Sequence, residues 1–380
     1  MPLLDRRGFI LSALAAPLAG CGAAVHAPKP LAGYRVRDPL AGYFDLGARR
    51  RFLRASSDPL LVDLRTRIAR APDCDAVLRI PVQDSRITLP TFYGDNAGWR
   101  TAVRPFWAIE DAVSDLAAAN LVAPDRRHAD CLVRLMLHWA RRNALSEFHF
   151  SDDNKQAWYQ IESTLFAFAL ALAAIRPDVQ DRHRDLKTID AWLERVARHH
   201  FAIPGQEGGT CCNNHFYRRA LYATIIGVMV RDDALFGTGM RAITMALSEA
   251  TPEGALPLEM KRGPRAAHYQ NYALMYLAMM AQITERQGYA AWDRKIDGKS
   301  LHTLVKFNNQ LLANPAAVTR FSGSREVILK FHKDPQYFAW FELYLSRYRS
   351  PAMEAWVAQR RPLYNRSLGG HLTAYFHRGA

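Results

Sequence analysis

Residues 155–175 read KQAWYQIESTLFAFALALAAI. Trp158, Ile161, Leu165, Phe168, Leu172 and Ile175 recur at steps of three and four, the period of an α-helix. The same period extends outward on both sides. It predicts helices over 103–120 and 127–143 before this stretch, and over 187–200, 214–231, 233–250, 265–287, 298–313 and 335–348 after it. Strand-like alternation is sparse, and 77–90 (VLRIPVQDSRITLP) is the one modest strand candidate. Successive helices on short or medium links predict antiparallel helix pairs. No repeat of fixed period is visible, which disfavours a consensus solenoid. The expectation is an all-α toroid or bundle with no internal domain boundary.

Two segments break the helical rhythm. Residues 84–102 (DSRITLPTFYGDNAGWRTA) interleave turn residues with Phe92, Tyr93, Trp99 and Arg100, the composition of a binding loop or lid. Residues 201–213 (FAIPGQEGGTCCN) are irregular and run directly into a helix.

The chain has 380 residues, 49% apolar and 23% charged, which excludes a disordered, collagenous or multi-pass membrane protein. Its net charge of +14 points to a polyanionic partner: nucleic acid, anionic lipid or acidic polysaccharide. The N-terminus narrows this choice. Residues 1–21 read MPLLDRRGFILSALAAPLAGC, with Arg6-Arg7 ahead of a short apolar run from Phe9 to Leu18. That run is too short to span a bilayer as a helix and has the form of an export signal, similar to the twin-arginine type. Leu18-Ala19-Gly20-Cys21 resembles a lipobox, so residues 1–20 are expected to be removed and Cys21 lipidated. Gly22 follows rather than Asp, which favours the outer membrane; 21–44 is expected to be a tether carrying a periplasmic body over 45–380. Outside the cytoplasm nucleic acid is a poor candidate, and no helix-turn-helix, RNP or finger pattern is present. Acidic polysaccharide leads as partner, with the membrane reached through the lipid and a monomer expected.

Cys74, Cys131, Cys211 and Cys212 remain, an even number that permits two disulfides in an oxidising compartment. Three pairings are open. A Cys211–Cys212 bond is disfavoured by spacing alone, since adjacent Cα atoms lie about 3.8 Å apart. No Cys/His set has the spacing of a zinc finger.

Two clusters carry the chemistry. Residues 213–217 read NNHFY at a helix start. One Asn suits the cap, while free N–H groups and the helix dipole beside Asn214 and His215 suit an anion. Residues 256–272 read LPLEMKRGPRAAHYQNY. Pro264 suits a first helical position, Arg262 falls in the loop before it, and Tyr269 shares a face with Arg265 and Tyr272. Lys261, Arg262 and Arg265 beside two tyrosines fit a polyanion cleft; a solvated basic loop is the plainer reading of the segment taken alone.

Together the clusters resemble the alginate lyases of polysaccharide lyase family five. That family pairs Asn-Asn-His-x-Tyr with Leu-Pro-x-Glu-Leu-Lys-Arg-x-x-Arg-Ala-x-x-Tyr-His-x-Tyr. Arg262 and Tyr269 lie 47 and 54 positions after His215, the family spacing. PTFYGDNAGWR (90–100), FAWFELY (338–344) and SLGGHLTAYF (367–376) are further echoes. The resemblance implies an (α/α) toroid, an incomplete α/α barrel of helix pairs with a lid loop. It implies Cys74–Cys131 and the vicinal Cys211–Cys212 as the disulfide pairs, reversing the objection from spacing. It implies β-elimination on mannuronate-rich alginate by Asn214, His215, Arg262 and Tyr269, without metal or organic cofactor. Substrate contacts would come from Tyr93, Trp99, Arg100, Lys155, Lys261 and Arg265. Residues 153–160 (DNKQAWYQ) depart from a Gly-Lys-x-x-Arg-Lys-Trp stretch, keeping Lys155 alone; Arg218 stands in place of a Trp.

The chemistry asks for a group to neutralise the uronate carboxylate, a base for the C-5 proton and an acid for the leaving oxygen. Asn214 and Arg262 suit the first task and Tyr269 the acid. If Tyr269 is also the base, its pKa is expected to be depressed by Arg262 and Arg265; His215 is the base candidate for guluronate. Three competing readings are a glycoside hydrolase with paired carboxylates near Glu253 and Glu259, a non-catalytic polysaccharide-binding lipoprotein, and a lyase for glucuronan or another polyuronate.

Overall fold

The computed structural model describes residues 31, 33–202, 212–329 and 333–379. The export signal, Cys21 and Cys211 lie outside the described residues. Short helices come first: Leu46–Ala55, Pro59–Ile68, Cys74–Leu78 and Asn96–Ala102. An aspartate caps each of them (Asp45, Asp58, Asp73 and Asp95), accepting from a first-turn N–H that has no helical partner. Among the described residues, eight longer helices follow: α1 (Arg104–Val122), α2 (Arg127–Arg141), α3 (Lys155–Ile175), α4 (His183–Phe201), α5 (Asn214–Val230), α6 (Asp233–Glu249), α7 (Ala266–Arg286) and α8 (Leu301–Ala313).

The helices sort into two layers. α1 packs on α3, α3 on α5 and α5 on α7; α2 and α4 cover the first part of this row, and α6 and α8 the last. The layers read differently in sequence. α3 is buried almost all round, whereas α2 and α4 keep charged residues on one side. A helix apolar on every side needs neighbours on every side; an amphipathic one needs them on one. α3 is long and apolar enough to cross a membrane, yet 89% of its apolar window is buried inside the fold. Trp139, Trp158, Trp192, Trp292 and Trp340 fill the core, each burial contributing roughly 1.5–3 kcal/mol or more on the scale for large side chains. The all-α toroid expected from the sequence is the observed architecture.

The chain ends close the arc. The turn Arg366–Leu368 lies against α1 and α3, and Leu372–Phe376 against Pro59–Ile68. Arg49 donates to the carbonyls of Ala374 and His377 at 2.6 and 2.7 Å. The C-terminal part of the expected tether is a strap: Val36 N–H donates to Asp233 (2.8 Å), and the N–H groups of Arg37 and Asp38 to Gln287 (2.9 and 3.0 Å). Tyr43 is fully buried. The boundary near residue 45 therefore falls inside packed structure.

Two local expectations are corrected. Residues 77–90 form no strand. They leave a short helix and run extended, with only isolated backbone bonds from Ile87 to Glu147 and Leu145 to Gln83. The alternation there reflects Ile87 and Leu89 turning into the core. Residues 335–348 are two short pieces, Pro335–Phe338 and Phe341–Leu345, not one helix. Cys74 and Cys131 form a disulfide that ties the third short helix to α2. Cys212 is also disulfide-bonded.

Candidate active site

The first two turns of α1, α3, α5 and α7 meet at one cavity of about 480 Å³. Trp107 and Glu110 come from α1, Lys155, Gln156 and Tyr159 from α3, Asn214, His215 and Arg218 from α5, and His268, Tyr269 and Tyr272 from α7. Inner helices separated by antiparallel outer ones run the same way, so their N-termini share one end. Each contributes a partial positive charge there, which suits an anionic ligand.

Local chemistry builds the corner that holds Asn214, Arg262 and Tyr269. Asn213 caps α5 by accepting the His215 N–H at 3.0 Å. That frees Asn214, whose N–H and Nδ2 donate to the two oxygens of Glu259 at 2.6 and 2.8 Å. Glu259 is fully buried in the short helix Pro257–Met260, and burial pushes its carboxyl up to about 7 against the pull of the Asn214 bonds. The chain then turns at Gly263, at φ +57°, where the absence of Cβ matters. Pro264 sits in that turn before α7 begins at Ala266. The turn sets the Arg262 guanidinium 3.9 Å from the centre of the Tyr269 ring.

His215 stacks on Tyr159 at 4.4 Å. Burial holds it well below the usual histidine range, with Arg218, Arg262 and Arg219 adding to the effect, so it is neutral at ordinary pH. Among the described residues, its Nδ1 and Asn214 Oδ1 are buried without a hydrogen-bond partner. The expected depression of Tyr269 is not observed. Burial raises its phenol well above the usual value, and Arg262 offsets this only in part. In the substrate-free site Tyr269 is a neutral phenol.

The lid closes over this corner. Tyr93 and Tyr269 hydroxyls lie 3.3 Å apart, and Arg265 stacks 4.6 Å from the Tyr93 ring centre. Phe92 and Trp107 meet Trp99 edge-on at 4.8 and 5.5 Å. Asn214, His215, Arg262, Tyr269, Tyr93, Trp99 and Lys155 thus line one cavity. Arg265 touches it through Tyr93. Arg100 is exposed and bonded to Asn96 at 2.9 Å, and Lys261 is exposed; neither lines the cavity. Glu259 supports Asn214 from behind. Glu253 is outside the cavity, so the carboxylate pair of a hydrolase is not assembled.

Several lining residues escaped the sequence reading. Arg218 is a buried cation bonded to Glu162 at 2.7 Å, to the Tyr159 carbonyl at 2.7 Å and to the Tyr272 hydroxyl. It lies four residues after Asn214, and Tyr159 four after Lys155, so helical spacing was the available signal. Trp107, Glu110, Gln336, Tyr337, Asn365 and Arg366 come from elements distant in sequence, which no local pattern joins.

The alginate lyase family model matches residues 81–318. A polysaccharide lyase of Stenotrophomonas maltophilia is 30% identical over 257 residues, covering 66% of this chain and 72% of that protein. An alginate lyase of Pseudomonas syringae pv. tomato is 27% identical over 284 residues, 73% of each chain. The structure of alginate lyase A1-III from Sphingomonas species A1 superposes with a TM-score of 0.80 at 28% identity, over 90% of this chain and 97% of that one. A variant of alginate lyase A1-III complexed with tetrasaccharide superposes equally well. On sequence and fold together, this chain belongs to the alginate lyase family.

Proposed function

We propose that the protein is a polysaccharide lyase that cleaves mannuronate-rich alginate by β-elimination, leaving 4,5-unsaturated uronate ends. The observation that carries this reading is the convergence of Asn214, His215, Arg262 and Tyr269 on one corner of a basic, hydrogen-bonding cavity.

The C-5 proton of a uronate is weakly acidic because its removal places a second negative charge beside the carboxylate. Arg262 and the second Nδ2 hydrogen of Asn214, with the positive end of α5 behind them, are placed to take up that charge in a buried site, where such contacts weigh most. Neutral His215 adds a polar contact without an acid-labile charge. Tyr269 then serves both proton transfers on mannuronate, whose C-5 hydrogen and leaving oxygen share a face. Its oxygen takes the C-5 proton as its own proton passes to the glycosidic oxygen. The C-5 electron pair becomes the C-4–C-5 double bond, and the C-4–O bond breaks. A neutral phenol can donate to the leaving oxygen directly; its oxygen becomes a base only as that proton departs, a change that Arg262 beside the ring favours, and the Tyr93 hydroxyl beside it excludes water.

Absorbance of the new double bond tests the reading. Purified protein should produce it faster on mannuronate-rich than on guluronate-rich alginate, and Tyr269→Phe and His215→Ala should each abolish it. Near-normal rates in both variants would discard the mechanism. A faster rate on glucuronan would reassign the substrate. The signal sequence supports a further reading, a periplasmic lipoprotein anchored to the outer membrane. Palmitate labelling should be lost in Cys21→Ser; labelling that persists removes the anchor.

A further inference from the structure

The cavity suits a polyanion, yet one of its lining residues is a carboxyl group. Glu110, in the second turn of α1, is 1% exposed. Gln160 Nε2 and Thr164 Oγ1 both donate to its Oε1, at 2.7 and 2.8 Å. Among the described residues no group bonds Oε2, which is left to the cavity. An ionised carboxylate held this way has only neutral donors on one oxygen and the cavity on the other.

The surrounding charges do not form an ion pair with it. Arg366 is committed to neighbouring Asp111 by two bonds of 2.9 Å. On α5, Arg218 is committed to Glu162 of α3 at 2.7 Å. Lys155 and Tyr159 are the other titratable groups that α3 presents to the cavity. Burial pushes the Glu110 carboxyl up to about 8, the Thr164 bond and the Arg366 and Arg218 charges pulling down and Asp111 pushing up.

We propose that Glu110 is a substrate-contacting group that works as a protonated carboxylic acid, donating from Oε2 to a uronate oxygen of the bound chain. The proposal rests on the lyase reading. An O–H donor to a carboxylate makes a short, charge-assisted bond. The ionised form removes the donor and sets like charge against like. Bound polyuronate therefore favours the protonated state further, and binding takes up a proton where free Glu110 is partly ionised.

Two measurements test this on the full-length protein with mannuronate oligosaccharides. In steady-state kinetics, KM should rise about tenfold per pH unit above the Glu110 range, the slope of one ionisation, with kcat nearly constant. Glu110→Gln keeps a donor at every pH and should flatten that rise; Glu110→Ala should raise KM at all pH values. An unchanged alkaline rise in Glu110→Gln overturns the proposal. In calorimetry across buffers of different ionisation enthalpy near pH 8, Tyr269→Phe should bind the oligosaccharide with uptake of a fraction of a proton. That uptake should vanish in Tyr269→Phe/Glu110→Gln; equal uptake in both overturns the proposal. Unsaturated product without Glu110 dependence sinks this inference alone. Absence of unsaturated product from the wild type sinks the lyase reading itself.

Discussion

The two walls of the cavity are built by different means. One wall holds Asn214, His215, Arg262 and Tyr269, all within 213–272, with Asn214 braced by a buried carboxyl, Glu259. The other is assembled from Phe92, Tyr93, Trp99, Trp107, Lys155 and Arg366, residues spread over most of the chain and held by separate contacts. Groups positioned by one cap, one turn and one carboxyl keep a fixed geometry at the reacting atoms. Groups positioned by long-range packing provide area and charge along a chain of sugars. The first wall should therefore control kcat and the second KM.

The sharpest way to break this division is Tyr269→Phe. Removing one proton-transfer group should lower kcat by about 10²–10⁴-fold with KM little changed. A tenfold loss or less, or a loss confined to KM, would contradict the assignment of that wall to chemistry.

Glu259→Gln should come next, with kcat falling on the order of tenfold because one of the two acceptors for Asn214 is lost. Combined with Asn214→Ala it should add little, since both act through the same amide; additive losses would separate them. The same variant has a signature in stability. The Glu259 carboxyl is raised from the usual 4.5 to about 7 in the folded state. The folded protein then binds more protons than the unfolded one across that window. Stability is thus full below 4.5 and declines as pH rises through about 7. Thermal melts should show this decline in the wild type and a shallower one in Glu259→Gln; parallel curves would deny the buried acid.

On the opposite wall, Trp99→Ala should raise KM several-fold, about 1 kcal/mol of lost contact, with kcat within threefold. A kcat loss as large as that of Glu259→Gln would merge the two walls. The smallest effect belongs to Arg100→Ala and Lys261→Ala, exposed residues outside the cavity. Each should change kcat/KM by less than about twofold at moderate salt, as surface charges do. Larger changes would extend the binding surface beyond the lid.

Much of this was legible in the sequence, for physical reasons. Helical period reports which faces of a segment are buried, so the all-α class could be read from 155–175 and its neighbours. An N-cap, a proline at a helix start and four-residue spacing are local rules, so two short segments showed an asparagine cap and Arg262 in the loop before Tyr269, and the family resemblance joined them into one wall; the structure makes Asn213 the cap. Other features depend on what lies alongside. Residues 77–90 alternate like a strand because Ile87 and Leu89 reach a helical core, and no pattern in 34–44 announced a strap on Gln287. Tyr269 seemed due for a depressed pKa from nearby arginines, but burial outweighs Arg262. The sequence by itself determined the helices and, through the family resemblance of two short segments, the candidate reacting groups. Only the tertiary structure decided that four helix starts and the returning C-terminal turn share one cavity, because periodicity carries no information about which buried faces become neighbours.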